Sequence, residues 1–364
     1  MKEKLNTFHI ALLIYMTETT VNLLSLPRLV AENIGTNGWL GYIFLSLIAA
    51  FNILLYRVVY QKGNGASIFQ ILETAFPKGI LNPLYLILSL FWITTAAFIG
   101  KNFFLVFQLI SFQTINIMYI FLLFCFMVFF LLIKNIYSIS KANTIFFFMS
   151  IWTLFLTVYH FRDWESVRFT TYWFRDAAQG HSFHNWMEVY ITFVGYELCL
   201  FLFPFVQKES KLFKGVLIGH GLISTVQLIV IVTAFGFFSF DQIQSLLYPL
   251  IDLLDFIEMS FINRIASLVF VFYLFATLTT TAMFCFASLT TLKQTFPRIP
   301  FNHLAFSIVL LVFAGGFLPR NFIQAELWLR RMLFIEVALA FSLPILLILV
   351  LQLLKVRRKR LSQD

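Results

Sequence analysis

Ten lightly charged stretches, each of 18 residues or more, follow one another along the chain: 8–27, 38–60, 81–111, 116–133, 143–161, 186–206, 213–239, 262–293, 301–319 and 329–354. A helix needs about 20 apolar residues to cross some 30 Å of hydrocarbon. Lipid supplies no hydrogen bonds, so such a stretch must satisfy its own backbone, and the α-helix does that. Of the 364 residues 60% are apolar and 12% charged, where ordinary soluble domains carry about 25% charge. The pattern excludes a soluble enzyme, a disordered chain and a disulfide scaffold. It predicts an all-α polytopic membrane protein of ten transmembrane helices. Cys125, Cys199 and Cys285 all fall inside apolar stretches with no paired spacing, so they read as small core hydrophobes. The amino-terminal segment lacks a small-residue cleavage site after a short apolar core, which makes it a first span and not a removable signal.

Charge placement orients the bundle. With the N-terminus inside, seventeen Lys and Arg lie on the cytoplasmic side and eight outside, with Lys101 left within a span. Positive charge is retained on the cytoplasmic side, so both termini are expected there, including the basic tail 355–364. The net charge of +9 thus reflects topology and contact with lipid headgroups rather than a nucleic-acid patch.

Two connections have structure of their own. Residues 66–76 read as a short amphipathic helix inside, between spans two and three. Residues 241–258 read as a helical hairpin outside, broken at Pro249 after Tyr248, between spans seven and eight. Leu246, Leu250, Leu253, Leu254 and Ile257 line one face, with Asp252, Asp255 and Glu258 on the other. This is a lid with a solvated acidic face. Each insert follows the second helix of its half, on opposite sides of the membrane. Two five-helix repeats in inverted orientation give that pattern: repeat one at 8–161, an outside loop at 162–185 and repeat two at 186–354, all in one transmembrane domain.

Charges inside spans are costly and mark function by default. The clearest are Glu18 in span one, Lys101 in span three and Glu197 in span six. Spans one and six correspond in the two halves, and they match: Thr17-Glu18-Thr19-Thr20-Val21-Asn22 runs on to Pro27, and Val194-Gly195-Tyr196-Glu197 runs on to Pro204. Interrupted helices at matched positions point to a midplane binding site. Their free N–H and C=O groups suit a zwitterion, with donors for a carboxylate and acceptors for an ammonium. Lys101 is expected as counter-charge to Glu18 or Glu197. Thr94 and Gln108 share its helical face, and Thr277, Thr280 and Thr281 stand mid-span in span eight. Such residues also serve simply as hydrogen-bonded ties between helices.

Other candidates carry less. His181, His184 and Glu188 have spacing that could hold a metal on one helical face, but an interfacial cap is the simpler reading. Asp252 and Asp255 resemble half of a diphosphate–magnesium motif with no second copy. His220 and Glu336 are single polar residues read as helix–helix contacts. No phosphate loop, catalytic triad or paired-cysteine motif occurs, and no metal or cofactor is implied. The residues leave open whether the chain senses its ligand or carries it, as a permease for an amino acid or amine coupled to protons through Glu18 or Glu197; an integral membrane transferase using Asp252, Asp255, His181 and His184 is the least supported alternative.

The ordered set of segments is similar to a known group. Leu26-Pro27-Arg28 with Gly38-Trp39, Phe193-Val194-Gly195-Tyr196-Glu197 with Phe203-Pro204, Tyr248-Pro249, Phe261-Ile262-Asn263-Arg264 and Leu292-Lys293-Gln294-Thr295-Phe296 resemble the B-subunit family of bacterial spore germinant receptors. That family is a branch of the amino acid–polyamine–organocation superfamily. The resemblance implies ten helices in a LeuT-like five-plus-five inverted repeat with broken helices one and six. It also implies a place in the spore inner membrane, a small nutrient ligand such as an amino acid, and A and C partner subunits. Its pocket maps onto Thr17, Glu18, Thr19, Thr20, Val21, Phe98, Lys101, Gly195, Tyr196, Glu197, Tyr273 and Thr277. Relatives usually carry glycines in the unwound part of helix one, where this chain has none between Thr17 and Asn22.

Overall fold

The structure, a computed structural model, describes residues 4–19, 21–110, 116–206, 211–257 and 265–361. Of the residues singled out above, Thr20, Glu258, Phe261 to Arg264 and the side chain of Val21 lie outside the described residues. The helices run α1 (Thr7–Glu18), α2 (Leu26–Asn33), α3 (Trp39–Lys62), α4 (Ile68–Ala75), α5 (Lys78–Ile110), α6 (Ile117–Leu132), α7 (Ile136–Ser150) and α8 (Thr153–Val158). There follow α9 (Phe183–Tyr190), α10 (Leu212–Phe237), α11 (Phe240–Ser245), α12 (Pro249–Asp255), α13 (Ile265–Thr295), α14 (Phe301–Gly315) and α15 (Phe322–Leu361). Among the described residues seven segments are long and apolar enough to cross a membrane, and the apolar helices α6 and α14 are shorter. Exposed Phe44, Leu47 and Phe51 on α3, and Phe126 and Phe130 on α6, turn outward as lipid-facing side chains do.

Polar caps mark where helices begin. The Asn6 side chain accepts from the His9 N–H at the start of α1. The expected insert at 66–76 is α4, opened by a capping box in which Ser67 and Gln70 each bond the other's backbone. The expected hairpin is α11 and α12, with Pro249 at the first turn of α12, where its missing N–H costs nothing. Leu250, Leu253 and Leu254 are buried beneath it.

Inside the bundle, α5 and α13 form the central pair, their Phe103 and Phe270 rings stacked 4.6 Å apart. The Gly215 and Gly219 pair, four apart on α10, meets α1: a Cβ on Gly215 would sit 2.7 Å from the Thr7 carbonyl oxygen, and one on Gly219 2.4 Å from that of Ala11. Two small residues at this spacing let helix backbones touch in lipid, where packing rather than the hydrophobic effect joins helices. On α15, Pro344 removes the N–H that the Ala340 carbonyl would accept. That carbonyl takes hydrogen bonds from Asn52 Nδ2 (3.0 Å) and the Tyr56 hydroxyl (2.8 Å) of α3 instead. The three cysteines are buried and free.

Candidate functional site

Helix α1 stops at Glu18. Thr19 is extended (φ −78°, ψ 107°), and a short 3-10 turn at Val21–Leu24 leads into α2. Thr17 Oγ1 and Thr19 Oγ1 bond back to the carbonyls of Leu13 (2.6 Å) and Tyr15 (2.7 Å), so in place of glycine the chain uses threonines that close their own last turn. The second interruption lies opposite. A 3-10 turn at Ile191–Phe193 ends at Val194, and Gly195, at φ 134°, opens a ten-residue 3-10 segment, Tyr196–Phe205. Runs this long are uncommon and mark hinges or strain. The glycine is required on two counts: its φ is one that side chains rarely adopt, and a Cβ would lie 3.0 Å from the Thr17 carbonyl oxygen and 3.2 Å from the Glu18 nitrogen. The close approach that glycines in the first span would supply comes here from the sixth. The segments are also tied at their far ends, where the Leu5 N–H bonds the Phe205 carbonyl at 3.0 Å.

Three of the candidate residues thus meet. The Gly195 N–H donates to both Glu197 carboxyl oxygens at 2.9 Å. Thr280, from α13, donates to the freed carbonyls of Thr17 (3.0 Å) and Met16 (3.3 Å). Tyr196 shares a hydrogen bond with the Tyr190 hydroxyl (2.8 Å) and accepts from Asn52 Nδ2 (2.8 Å).

The charge partners differ from those expected. Glu18, fully buried, faces His220 of α10, with Oε2 2.9 Å from Nδ1. The other ring nitrogen of His220 approaches the Ser46 carbonyl at 3.1 Å. Beyond it, the Tyr42 hydroxyl donates to Gln227 Oε1. A carboxylate at a helix C-terminus opposes the helix dipole, and the imidazole offsets it. Lys101 faces the other way: its Nζ donates to Met118 Sδ of α6 at 3.0 Å, with neither Glu18 nor Glu197 in ion-pair range. The glycine face of α10 explains the difference, since it sets His220 against α1. Glu197 and Glu336 of α15 lie within hydrogen-bonding range of each other, and Trp92 Nε1 donates to Glu336 Oε1 at 3.4 Å. The rule that flagged Glu18 applies equally to His220 and Glu336. It could have found both, but it names no partners.

The remaining candidates surround this centre. Phe98 is buried against Trp328. Thr277 bonds the Tyr273 carbonyl of its own helix at 3.1 Å. Asn22, Asn102, Val194 and Thr280 border a space of about 10 Å³, the room of about one water. A second, of about 30 Å³, lies between Thr19, Tyr15, Tyr273 and Leu250 and Leu254 of α12. Both interior spaces are closed down. On α12, burial and then the Asp255 charge raise the Asp252 carboxyl above its ordinary range. Tyr248, the residue before Pro249, is also pushed up, by burial and then by Glu326. Among the described residues no group of three His, Cys, Asp or Glu could hold a metal. His184 stacks on Phe334 and pairs with Glu188 at 3.4 Å, and Ser182 caps α9.

The model of the spore germination protein family matches residues 4–321. The chain belongs to that family. Spore germination protein A2 of Bacillus subtilis (strain 168) is 22% identical over 356 residues, covering 96% of both chains. Spore germination protein B2 of the same strain is 24% identical over 290 residues, 77% of this chain and 75% of that one. In fold the chain is similar to a nucleobase-cation-symport-1 family transporter solved in a closed conformation with bromovinylhydantoin bound. The TM-score is 0.57 at 15% identity, covering 90% of this chain and 75% of that one. The chain is thus a spore germination family protein with several helices long and apolar enough to cross a membrane, on a fold similar to that of the transporter.

Proposed function

We propose that this spore germination protein is the B subunit of a germinant receptor. It binds a small nutrient, an amino acid in the first instance, and triggers germination with A and C subunits in the spore inner membrane. The ligand lies where the end of α1, the Gly195 turn, α5 and α13 converge, and α12 is the lid. In this reading the chain is one transmembrane unit of two inverted five-helix halves with both termini cytoplasmic. The nine apolar spans α3, α5, α6, α7–α8, Phe183–Phe205, α10, α13, α14 and α15 are completed by an interrupted first helix made of α1 and α2. The observation that supports the pocket is the contact of two interruptions, Glu18–Thr19 and Val194–Gly195, the first carrying the Glu18 carboxyl and the second holding that of Glu197, in a family named for germination. Interrupted helices offer backbone donors and acceptors that continuous ones keep to themselves.

Deleting the gene should abolish spore germination on one nutrient and spare the response to others. A normal response to every nutrient tried would overturn the assignment. The likeness to a transporter fold favours a second reading, that of a permease. Uptake of labelled amino acids into vesicles holding this chain alone separates the two, because robust accumulation without partner subunits belongs to the permease.

A further inference from the structure

Glu336 stands outside every role given above, and its surroundings are specific. It lies on α15 and is 1% exposed. Oε1 accepts from the Trp92 indole, while Oε2 has no hydrogen-bond donor among the described residues. Glu197 lies within hydrogen-bonding range of it, 4% exposed and with both oxygens on the Gly195 N–H. The other titratable groups facing the pair are Tyr56 on α3, Tyr190 on α9, Tyr196 and Cys199 on the 3-10 segment, and Glu18 on α1. None is a cation, and the His220 imidazole lies against Glu18 at 2.9 Å. Two carboxylates in contact, away from water and without a cation, repel too strongly to stay together, whereas a carboxylic acid donating to a carboxylate is a short, charge-assisted bond.

We propose that Glu197 and Glu336 form a proton-binding site: Glu336 carries a proton that it donates to the Glu197 carboxylate, and the pair holds one negative charge. Each surrounding donor then has a use. The Gly195 N–H goes to the carboxylate, the Trp92 N–H to the carbonyl oxygen of the acid, and the acid's own O–H fills the place left at Oε2. Glu197 is held to the Gly195 turn and Glu336 rides on α15, so the shared proton links the hinge in span six to the last span. Loss of the proton pushes the two apart, and a second proton makes the site neutral. Asn52, which bonds both Tyr196 and the Ala340 carbonyl one turn from Glu336, closes the same joint.

Infrared spectroscopy of the purified protein in lipid nanodiscs tests this without any nutrient, so its outcome is independent of the receptor assignment. At neutral pH the wild type should show a protonated-carboxyl C=O band. Glu336→Gln, whose amide keeps the shape and still donates to Glu197, should lose one carboxyl's share of that band. Glu197→Gln should shift the remaining Glu336 band, because the bond is no longer to an anion. A wild-type spectrum without the band at neutral pH would overturn the proposal. So would a band that Glu336→Gln leaves unchanged.

Discussion

Replacing Gly195 with alanine probes the contact on which the candidate site depends. Two costs follow from the geometry. The φ of 134° places a Cβ-bearing residue in a sparsely populated region, worth about 1–3 kcal/mol. The added methyl also meets backbone, 3.0 Å from the Thr17 oxygen and 3.2 Å from the Glu18 nitrogen. No rotamer change relieves that contact, so α1 must move, at about 1–3 kcal/mol for overpacking. The sum is about 2–6 kcal/mol, a large share of the 5–15 kcal/mol typical of a folded protein. Denaturant titration in detergent, followed by tryptophan fluorescence, reads the difference. Gly221→Ala is the control: it sits on the same bundle, exposed and with nothing within 4 Å of its Cβ position. It should match the wild type or gain about 0.5–1 kcal/mol from lower chain entropy. If Gly195→Ala falls within about 0.5 kcal/mol of the wild type, the level of an ordinary surface change, then the close approach of the two interruptions is not a constraint on the fold.

Two further outcomes follow. His220→Ala strands the Glu18 carboxylate, fully buried at a helix end, and should cost about 3–5 kcal/mol. Adding Glu18→Gln should recover part of that loss, and additive losses in the double-mutant cycle would refute the pairing. On α12, the raised Asp252 carboxyl means that its ionised form disfavours docking of that helix. A raised acid leaves docking intact below its ordinary titration range and weakens it as pH climbs through the raised one. Asp252→Asn should therefore slow amide exchange across α12 at neutral pH. The difference from the wild type should vanish in acid, and a variant that exchanges like the wild type at neutral pH would show that Asp252 carries no such penalty.

Much of the frame was legible because it is written in single segments. The run of residues around Ser67 spells its own capping box, and Pro249 divides its own hairpin. Glu18 and Glu197 stood out because a charge in an apolar run is conspicuous wherever the run ends up. The site needed more. Lys101 was the reasonable partner for either carboxyl on charge alone, yet it lies against Met118 on α6. His220 and Glu336, which read as isolated ties between helices, hold the places beside Glu18 and Glu197.

The apolar pattern by itself determined that the backbone would form membrane-length helices and which few charges would be trapped among them. Those properties depend only on neighbours along the chain. Which charge meets which was decided by the tertiary structure, through features with no local signature. The glycine face of α10 lets that helix lie on α1 and delivers the imidazole. The carbonyl freed by Pro344 binds α15 to α3, within range of Glu197. In lipid every helix is equally apolar, so the choice of partner falls to close backbone approach and hydrogen bonds between helices, and neither is written in a single span.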